Sequence, residues 1–490
     1  MIALSLEQIA EAVGGRLHDV PDPSARVTGF VEFDSRKITE GGLFVALPGA
    51  RVDGHDFART AVAAGAVAVL AARPVGVPAI VVPPRGKGQG GAEVFSHDED
   101  GSAEAVVEAL SALAREVITR LSRDHGLRVI GVTGSAGKTS TKDLIASVLS
   151  QAGPTVAPPG SFNNEIGHPY TALRCEEETR FLVAEMSARG IGHVAHLARI
   201  APPQIGVELN VGSAHLGEFG SRENIARAKG ELVEALPPAG VAILNADDAY
   251  VAAMAGRTRA AVRTFSAEGR PDADLRAVDV ELDDVARASF TLDWRGERER
   301  VNLQVFGAHQ VSNALAAAAV GLESGIPLPR VARALSEHVT ASAHRMDVHT
   351  RADGVTVIND AYNANPDSMR AGIAALAYTA AARPEAASFA VLGEMSELGA
   401  ESEAAHGELG REVARYHIGS LLVVGESPSC RAMAREAAAG GVSTSVVPGI
   451  EEAVTQLQAR LGRGDAVLVK ASHSQGLWAV AQRLVAQDNS

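Results

Sequence analysis

The run Gly131-Val132-Thr133-Gly134-Ser135-Ala136-Gly137-Lys138-Thr139-Ser140 leaves this chain few folds to choose from. Ahead of it Arg128-Val129-Ile130 is a short apolar run of strand type, and behind it Lys142 to Leu149 spaces its apolar residues as a helix does. A strand, a glycine loop and a helix in that order aim backbone N–H groups and the positive end of a helix dipole at one point, which suits a polyphosphate. Lys138 is placed to reach the terminal phosphates and Thr139 to ligate Mg²⁺. A strict phosphate loop asks for a further glycine where Val132 stands. A bare turn would not need the Gly-Lys-Thr-Ser ending, so ATP or GTP binding is the working premise.

The 490 residues predict about three domains at roughly 150 residues each. The balance of 45 basic and 59 acidic residues, −14 overall, argues against a general nucleic-acid or membrane-surface binder, though local basic pockets for phosphates fit. Cys175 and Cys430 are far apart and lack metal-ligand spacing, so both are read as packing residues of a reduced protein. Met1 to Gln8 lacks the basic start and apolar stretch of a signal peptide. No apolar run approaches the ~18 residues of a membrane span. A cytoplasmic protein without membrane insertion is expected, and a monomer.

The chain opens with a capping-box pattern at Ser5 and Gln8, followed by Leu6, Ile9, Ala10 and Val13 on one helix face and a Gly14-Gly15 stop. Strand-like runs at Val27 to Phe33, Leu43 to Leu47, Ala66 to Leu70 and Ala79 to Val82 complete a small α/β unit, residues 1–84. Ser35 and Arg36 lie in one of its turns, where ligands are often met. Residues 85–104, rich in glycine and then in acids, read as a linker or insert.

Residues 105–340 form the expected central nucleotide domain, with a largely parallel sheet. Glu185 ends the buried strand Arg180 to Glu185 on the ligand side of such a sheet and is a candidate Mg²⁺ ligand. His215 follows the strand Gln204 to Val211 and could join the same shell, although magnesium prefers oxygen. Lys229 lies on a helix spanning Ser221 to Leu236, where by default it is a surface charge. Residues 341–490 alternate strands and helices as a doubly wound, Rossmann-like domain without the dinucleotide glycine fingerprint. Such a domain would complete an active site made elsewhere.

Together these residues resemble the Mur ligase family across nearly the whole chain outside the insert. The family's Thr-Gly-x-x-Gly-Lys-Thr loop is matched by Thr133 to Thr139, which accounts for Val132. Asn163-Asn164-Glu165-Ile166-Gly167, Glu185, Asn210 to His215, Ala228-Lys229, Asn313, Arg345 and Asp360 follow in the family's order. The segments Asp360 to Met369 and Leu392 to Gly399 are most similar to the branch that adds D-alanyl-D-alanine, and no Asp-Asn-Pro-Arg motif of the diaminopimelate- or lysine-adding branch is found.

The resemblance implies three α/β domains and an ATP- and Mg²⁺-dependent ligase that joins D-alanyl-D-alanine to UDP-N-acetylmuramoyl-tripeptide through an acyl phosphate. It implies that Gly134, Ser135, Ala136, Gly137, Lys138, Thr139 and Ser140 hold the ATP phosphates, and Asn313, Arg345 and Asp360 the rest of the nucleotide. Lys138, Lys229, His215 and Glu185 become the catalytic set, with Thr139, Glu185, His215 and Lys229 around magnesium, Lys229 as a carbamate. Ser35 and Arg36 are placed at the uridine-diphosphate end of the substrate, Asn163 and Asn164 near its sugar-peptide, and Asn363, Asn365 and Ser368 at the dipeptide. Lys470 to Ser474 resembles a segment often written with arginine where His473 stands, and it is assigned no catalytic role. A hinge is expected near Glu337 to Ala343. The alternatives are another member of the superfamily, such as a folylpolyglutamate synthase, and a nucleotide-dependent switch.

Overall fold

The computed structural model describes residues 1–49, 52–84, 86, 98–212, 216–339, 342, 344–383 and 385–486. His215, most of the 85–104 insert and residues 340, 341 and 343 of the expected hinge lie outside the described residues. The chain divides into two compact units: Met1–Gly131 with Gly153–Ser187 and Val194–Ile205, and Val132–Ala152 with Ala188–His193 and Gly206–Ser490.

In the first unit the opening helix is Leu6–Val13, with both capping-box hydrogen bonds between Ser5 and Gln8 and a left-handed Gly14 as its stop. A five-stranded sheet follows in the order Arg16–His18, Ala79–Val81, Ala66–Ala71, Gly42–Val45, Val31–Glu32. It is parallel except for its first, edge strand. The single strand expected at Val27 to Phe33 is two short ones, Arg26–Val27 and Val31–Glu32. Gly29 lies between them, packed so closely on Glu40 and Gly42 that a Cβ there would stand 2.8 Å from their backbone. The helix Ser102–Arg120 and the strand Phe181–Glu185, parallel to Thr155–Val156, also belong to this unit.

The second unit carries Ile205–Glu208, Val241–Asn245, Ala261–Ser266 and Leu275–Leu282 as successive neighbours. Beyond them the expected parallel order gives way to an antiparallel edge, Arg287–Trp294 and Glu297–Phe306. The reason is local: Arg295 and Gly296 both have positive φ, 54° and 94°, the conformation of a two-residue hairpin turn between Trp294 and Glu297. The single helix expected at Ser221 to Leu236 is also divided, into Arg222–Lys229 and Glu231–Glu234. Arg257 occupies the space beside Gly230 and donates to Ala226 O at 2.9 Å and Arg227 O at 2.8 Å.

A second sheet in this unit runs Asp347–Thr350, Thr356–Asn359, Ala466–Lys470, Ser388–Leu392, Ser420–Val424, Ser443–Val447, parallel except for its first strand. Strand alternation sends Ile358, Ala390, Leu392 and Leu468 to one face, against Ile373 and Leu376 of the helix Pro366–Ala381. Val357, Val391 and Val467 go to the other, against Val480 and Leu484 of the helix Trp478–Ala486. This is the doubly wound pattern the sequence predicts. Cys175 and Cys430 are buried and free, and burial pushes the Cys175 thiol up to about 12. No helix among the described residues is long and apolar enough to cross a membrane.

Candidate active site

The glycine loop leaves its strand at Thr133 and enters the helix Lys138–Leu149 through Gly137. Gly137 has φ 84°, and a Cβ there would stand 2.6 Å from Asn313 Oδ1, so both conformation and space call for glycine. Asn210 clamps the loop: its Oδ1 accepts from Ala136 N at 2.9 Å, its Nδ2 donates to Ala136 O at 3.1 Å and its carbonyl accepts from Ser135 N at 3.0 Å. Gly212 N donates to Ser135 Oγ at 2.9 Å. Lys138 folds back to donate from Nζ to Gly134 O at 2.7 Å, which holds its charge over the loop. Thr139 is buried and Ser140 is half-buried. A helix N-terminus crowned by N–H groups and a lysine is an anion site.

Lys229 is 3% exposed, far from the surface charge a lone helical lysine would be. Burial, with the nearby charge of Lys138, pulls its ammonium down to about 7, against the opposing pull of Glu208. A lysine so placed is a neutral amine, and so a nucleophile, in a large fraction of molecules at neutral pH.

Ser140 lines a small cavity with Asp143, Gln310, His338, Ser342 and Arg345. Asp143 pairs with buried Lys142 at 2.6 Å and accepts from Ser342 Oγ at 2.6 Å. Asn313, also buried, donates from Nδ2 to Gln310 Oε1 at 2.9 Å. The Arg345 guanidinium lies over the Tyr362 ring, 4.1 Å from its centroid. Asp360 accepts from Met346 N at 3.1 Å and from Lys470 Nζ at 2.6 Å. Lys470, 2% exposed, also donates to Asn363 O at 2.8 Å, so one buried ammonium fixes both ends of the Asp360–Asn363 turn. Sequence reasoning gave this segment no role. The signal was there: a lysine closing the buried apolar strand Ala466–Lys470 has to be paired. His473 packs between Tyr362 and Trp478, with centroids 5.0 and 4.8 Å away.

Asn365 and Ser368 form a reciprocal capping box at the start of the helix Pro366–Ala381. Asn363 Oδ1 accepts from Ala364 N at 2.9 Å. The helix so fixed presents Asp367 against Gly212, beside Ser135 of the phosphate loop.

In the first unit Glu185, 1% exposed, accepts from Asn163 Nδ2 at 2.7 Å, so Asn163 orients the carboxylate. Asn164 Oδ1 instead accepts from Gly167 N at 2.9 Å. Arg36 is paired with Asp34 at 2.9 Å and mostly solvated, with Ser35 in the same short turn. That pairing holds Asp34 down at about 2. Sequence reasoning missed the cluster beside them. Buried Glu32 accepts from Tyr170 Oη at 3.1 Å and pairs with Arg174, whose guanidinium lies over the Tyr170 and Phe30 rings at 4.4 and 4.6 Å.

Among the described residues no three His, Cys, Asp or Glu side chains converge as a metal site. The oxygens of Thr139 and Glu185, both buried, are nonetheless of the hard type that Mg²⁺ takes. Lys229 would add oxygens only once carbamylated.

A phosphate loop with a lysine over it and a second, buried lysine close enough to feel its charge defines a phosphoryl-transfer enzyme that uses a nucleotide. Comparison makes the class specific. Residues 28–117 match the Mur ligase family catalytic domain, 132–321 the Mur ligase middle domain, and 344–473 the Mur ligase, glutamate ligase domain. The chain is 54% identical to the UDP-N-acetylmuramoyl-tripeptide--D-alanyl-D-alanine ligase of Mycobacterium tuberculosis, over 100% of this chain and 99% of that one. It is 33% identical to the Escherichia coli ligase of the same name, over 87% of each. A crystal structure of MurF from Acinetobacter baumannii superposes with a TM-score of 0.83 at 28% identity, covering 99% of both chains. MurF from Thermotoga maritima in complex with ADP gives 0.76 at 28% identity, over 94% of this chain and 98% of that one. The chain belongs to the Mur ligase family. It is an ATP-dependent, amide-bond-forming ligase.

Proposed function

We propose that this enzyme joins D-alanyl-D-alanine to UDP-N-acetylmuramoyl-tripeptide in the cytoplasm, giving the UDP-N-acetylmuramoyl-pentapeptide used in peptidoglycan synthesis. The observation that carries the reading is the end-to-end match, 54% identical over 508 aligned residues, to a relative named for that reaction.

The tripeptide's terminal carboxylate attacks the γ-phosphorus of ATP; one P–O bond forms, the bond to ADP breaks, and an acyl phosphate results. Lys138 and the loop N–H groups hold the charge that spreads over the transferring group, which is most of what phosphoryl transfer asks of a protein. The amine of D-alanyl-D-alanine then adds to the acyl carbon. It loses a proton as phosphate departs, and the amide remains. Thr139, Glu185, His215 and carbamylated Lys229 are the residues that would hold Mg²⁺, which supplies charge neutralisation when bound. Asn313, Arg345 and Asp360 are assigned to the nucleotide. Ser35, Arg36, Asn163 and Asn164 are assigned to the uridine-diphosphate substrate, and Asn363, Asn365 and Ser368 to the dipeptide end.

The carbamate forms when neutral Nζ bonds the carbon of CO₂. Of the three protons of the ammonium one stays on nitrogen and two leave. With the Lys229 amine brought down to about 7, labelling from isotopic bicarbonate at fixed dissolved CO₂ is expected to rise steeply between pH 6 and pH 8. Labelling that is flat until about pH 10 would mean an ordinary lysine.

The test of the function is ADP release with Mg-ATP, UDP-N-acetylmuramoyl-tripeptide and D-alanyl-D-alanine, each omitted in turn, with the product weighed by mass spectrometry. Release that needs both peptide substrates and yields the pentapeptide is the expected result. Turnover indifferent to either, with no new amide, would sink the proposal.

A further inference from the structure

Among the described residues, Glu208 is a buried acid without a partner. It is 0% exposed, and neither carboxyl oxygen has a hydrogen-bond partner. Buried acids are nearly always paired, so an orphan of this kind asks for an explanation.

Its surroundings supply one. Ile205–Glu208 is buried along its length. A Cβ on Gly206 would stand 3.2 Å from both Leu232 and Leu236, so that face of the strand is turned to the helical segment Glu231–Glu234. Alternate residues of a strand share a face, which directs Glu208 to the same layer, one step further along. On the helical side Lys229 precedes Leu232 by one turn and is turned inward, 3% exposed. Two independent periodicities thus bring the orphan carboxyl and the buried amine to one place. The other charges facing Glu208 are Arg257, at the end of the Arg222–Lys229 helix, and Asp248.

We propose that Glu208 is a positioning residue for Lys229: its carboxyl group is the hydrogen-bonding seat that holds the lysine's head once it has become a carbamate. This rests on the carbamylation of Lys229 proposed above. A carbamate held beside an apolar wall has to find partners for its oxygens and its N–H, and a carboxyl group can meet either, as can the amide of a glutamine.

The experiment compares wild type, Glu208→Gln, Glu208→Leu and Glu208→Met in isotope-labelled bicarbonate, with the Lys229 carbamate read by carbon NMR and by mass after chemical trapping. Glutamine keeps a donor at the same reach; leucine and methionine keep the volume without one. Leucine and methionine fill the same apolar surroundings, and circular dichroism and thermal unfolding check that both variants fold, with Glu208→Gln as the variant that keeps a polar group beside Lys229. Near wild-type labelling in Glu208→Gln, with a loss of at least about tenfold in the apolar variants, is the expected result. Equal labelling in all four proteins, or an equal loss in all three variants, would overturn the seat while leaving Lys229 carbamylation standing. A wild-type protein that takes up no label would overturn the carbamylation itself, and the seat with it.

Discussion

Lys138→Met is expected to lower the ligation rate by about a thousandfold or more, without loss of fold. The side chain lies over the phosphate loop with its Nζ 2.7 Å from Gly134 O, an intraloop contact that a bound phosphate can take over. Removing a preorganised charge aimed at a developing anion costs about 10²–10³ in kcat at a single donor, and a whole positive charge at a phosphoryl group is worth at least that. The loop itself is held by Asn210 and Gly137, neither of which depends on the lysine. Single-turnover formation of ADP should therefore collapse while thermal unfolding stays within a few degrees of wild type. One further effect separates charge from shape. Lys138 helps to pull the Lys229 amine down, so in Lys138→Met the pH at which Lys229 takes up label should move upward. An unchanged labelling profile would mean that the two lysines do not sense each other.

Lys470→Met is expected to destabilise the third domain by about 3 kcal/mol. The ammonium is 2% exposed and is held by Asp360 Oδ2 at 2.6 Å and Asn363 O at 2.8 Å. Without it a largely enclosed carboxylate loses its counter-charge, and breaking one side of a buried pair costs more than removing both. Lys470→Met/Asp360→Asn should therefore recover much of the stability, though not the turnover, because Asp360 is assigned to the nucleotide. Denaturation by urea, followed through a probe in the third domain, measures both. A double variant no more stable than Lys470→Met would show that the pair is not the source of the loss.

The parts of this chain most legible in its sequence are those where one local interaction sets the structure. The capping box at Ser5 and Gln8 is of that kind, since its partners lie three residues apart, and the glycine loop at Gly134 to Lys138 announces itself by its own residues although Asn210 also clamps it. What escaped was decided at a distance. The break at Gly230 depends on Arg257, and the role of Lys470 depends on Asp360, 110 residues earlier. The antiparallel edge was recoverable in principle, from the alternation in Arg287–Trp294 and the Arg295-Gly296 turn. For Lys229 the surface-charge default came from helical position alone, and its enclosure, set by what packs over it, corrects that default. Asn365 and Ser368 illustrate the converse: their polar atoms serve the helix cap. A motif can be recognised for chemistry while its residues are also doing structural work.

The strand Ala466–Lys470 is among the last elements of the chain, yet it lies in the interior of its sheet, between Thr356–Asn359 and Ser388–Leu392. During synthesis the strands on either side of it emerge first and can pair on their far sides, with Asp347–Thr350 and Ser420–Val424, but not with each other. They wait as half-sheets with open edges until Ala466–Lys470 has been made. At ~5–20 residues per second, the interval between the exit of Asn359 and that of Lys470 is on the order of ten seconds. Without that strand the sheet falls into two pieces, and the turn that Lys470 fastens is left unheld. Late insertion of a central strand thus joins two half-sheets that are otherwise separate, and the Asp360–Asn363 turn is fastened only at that moment.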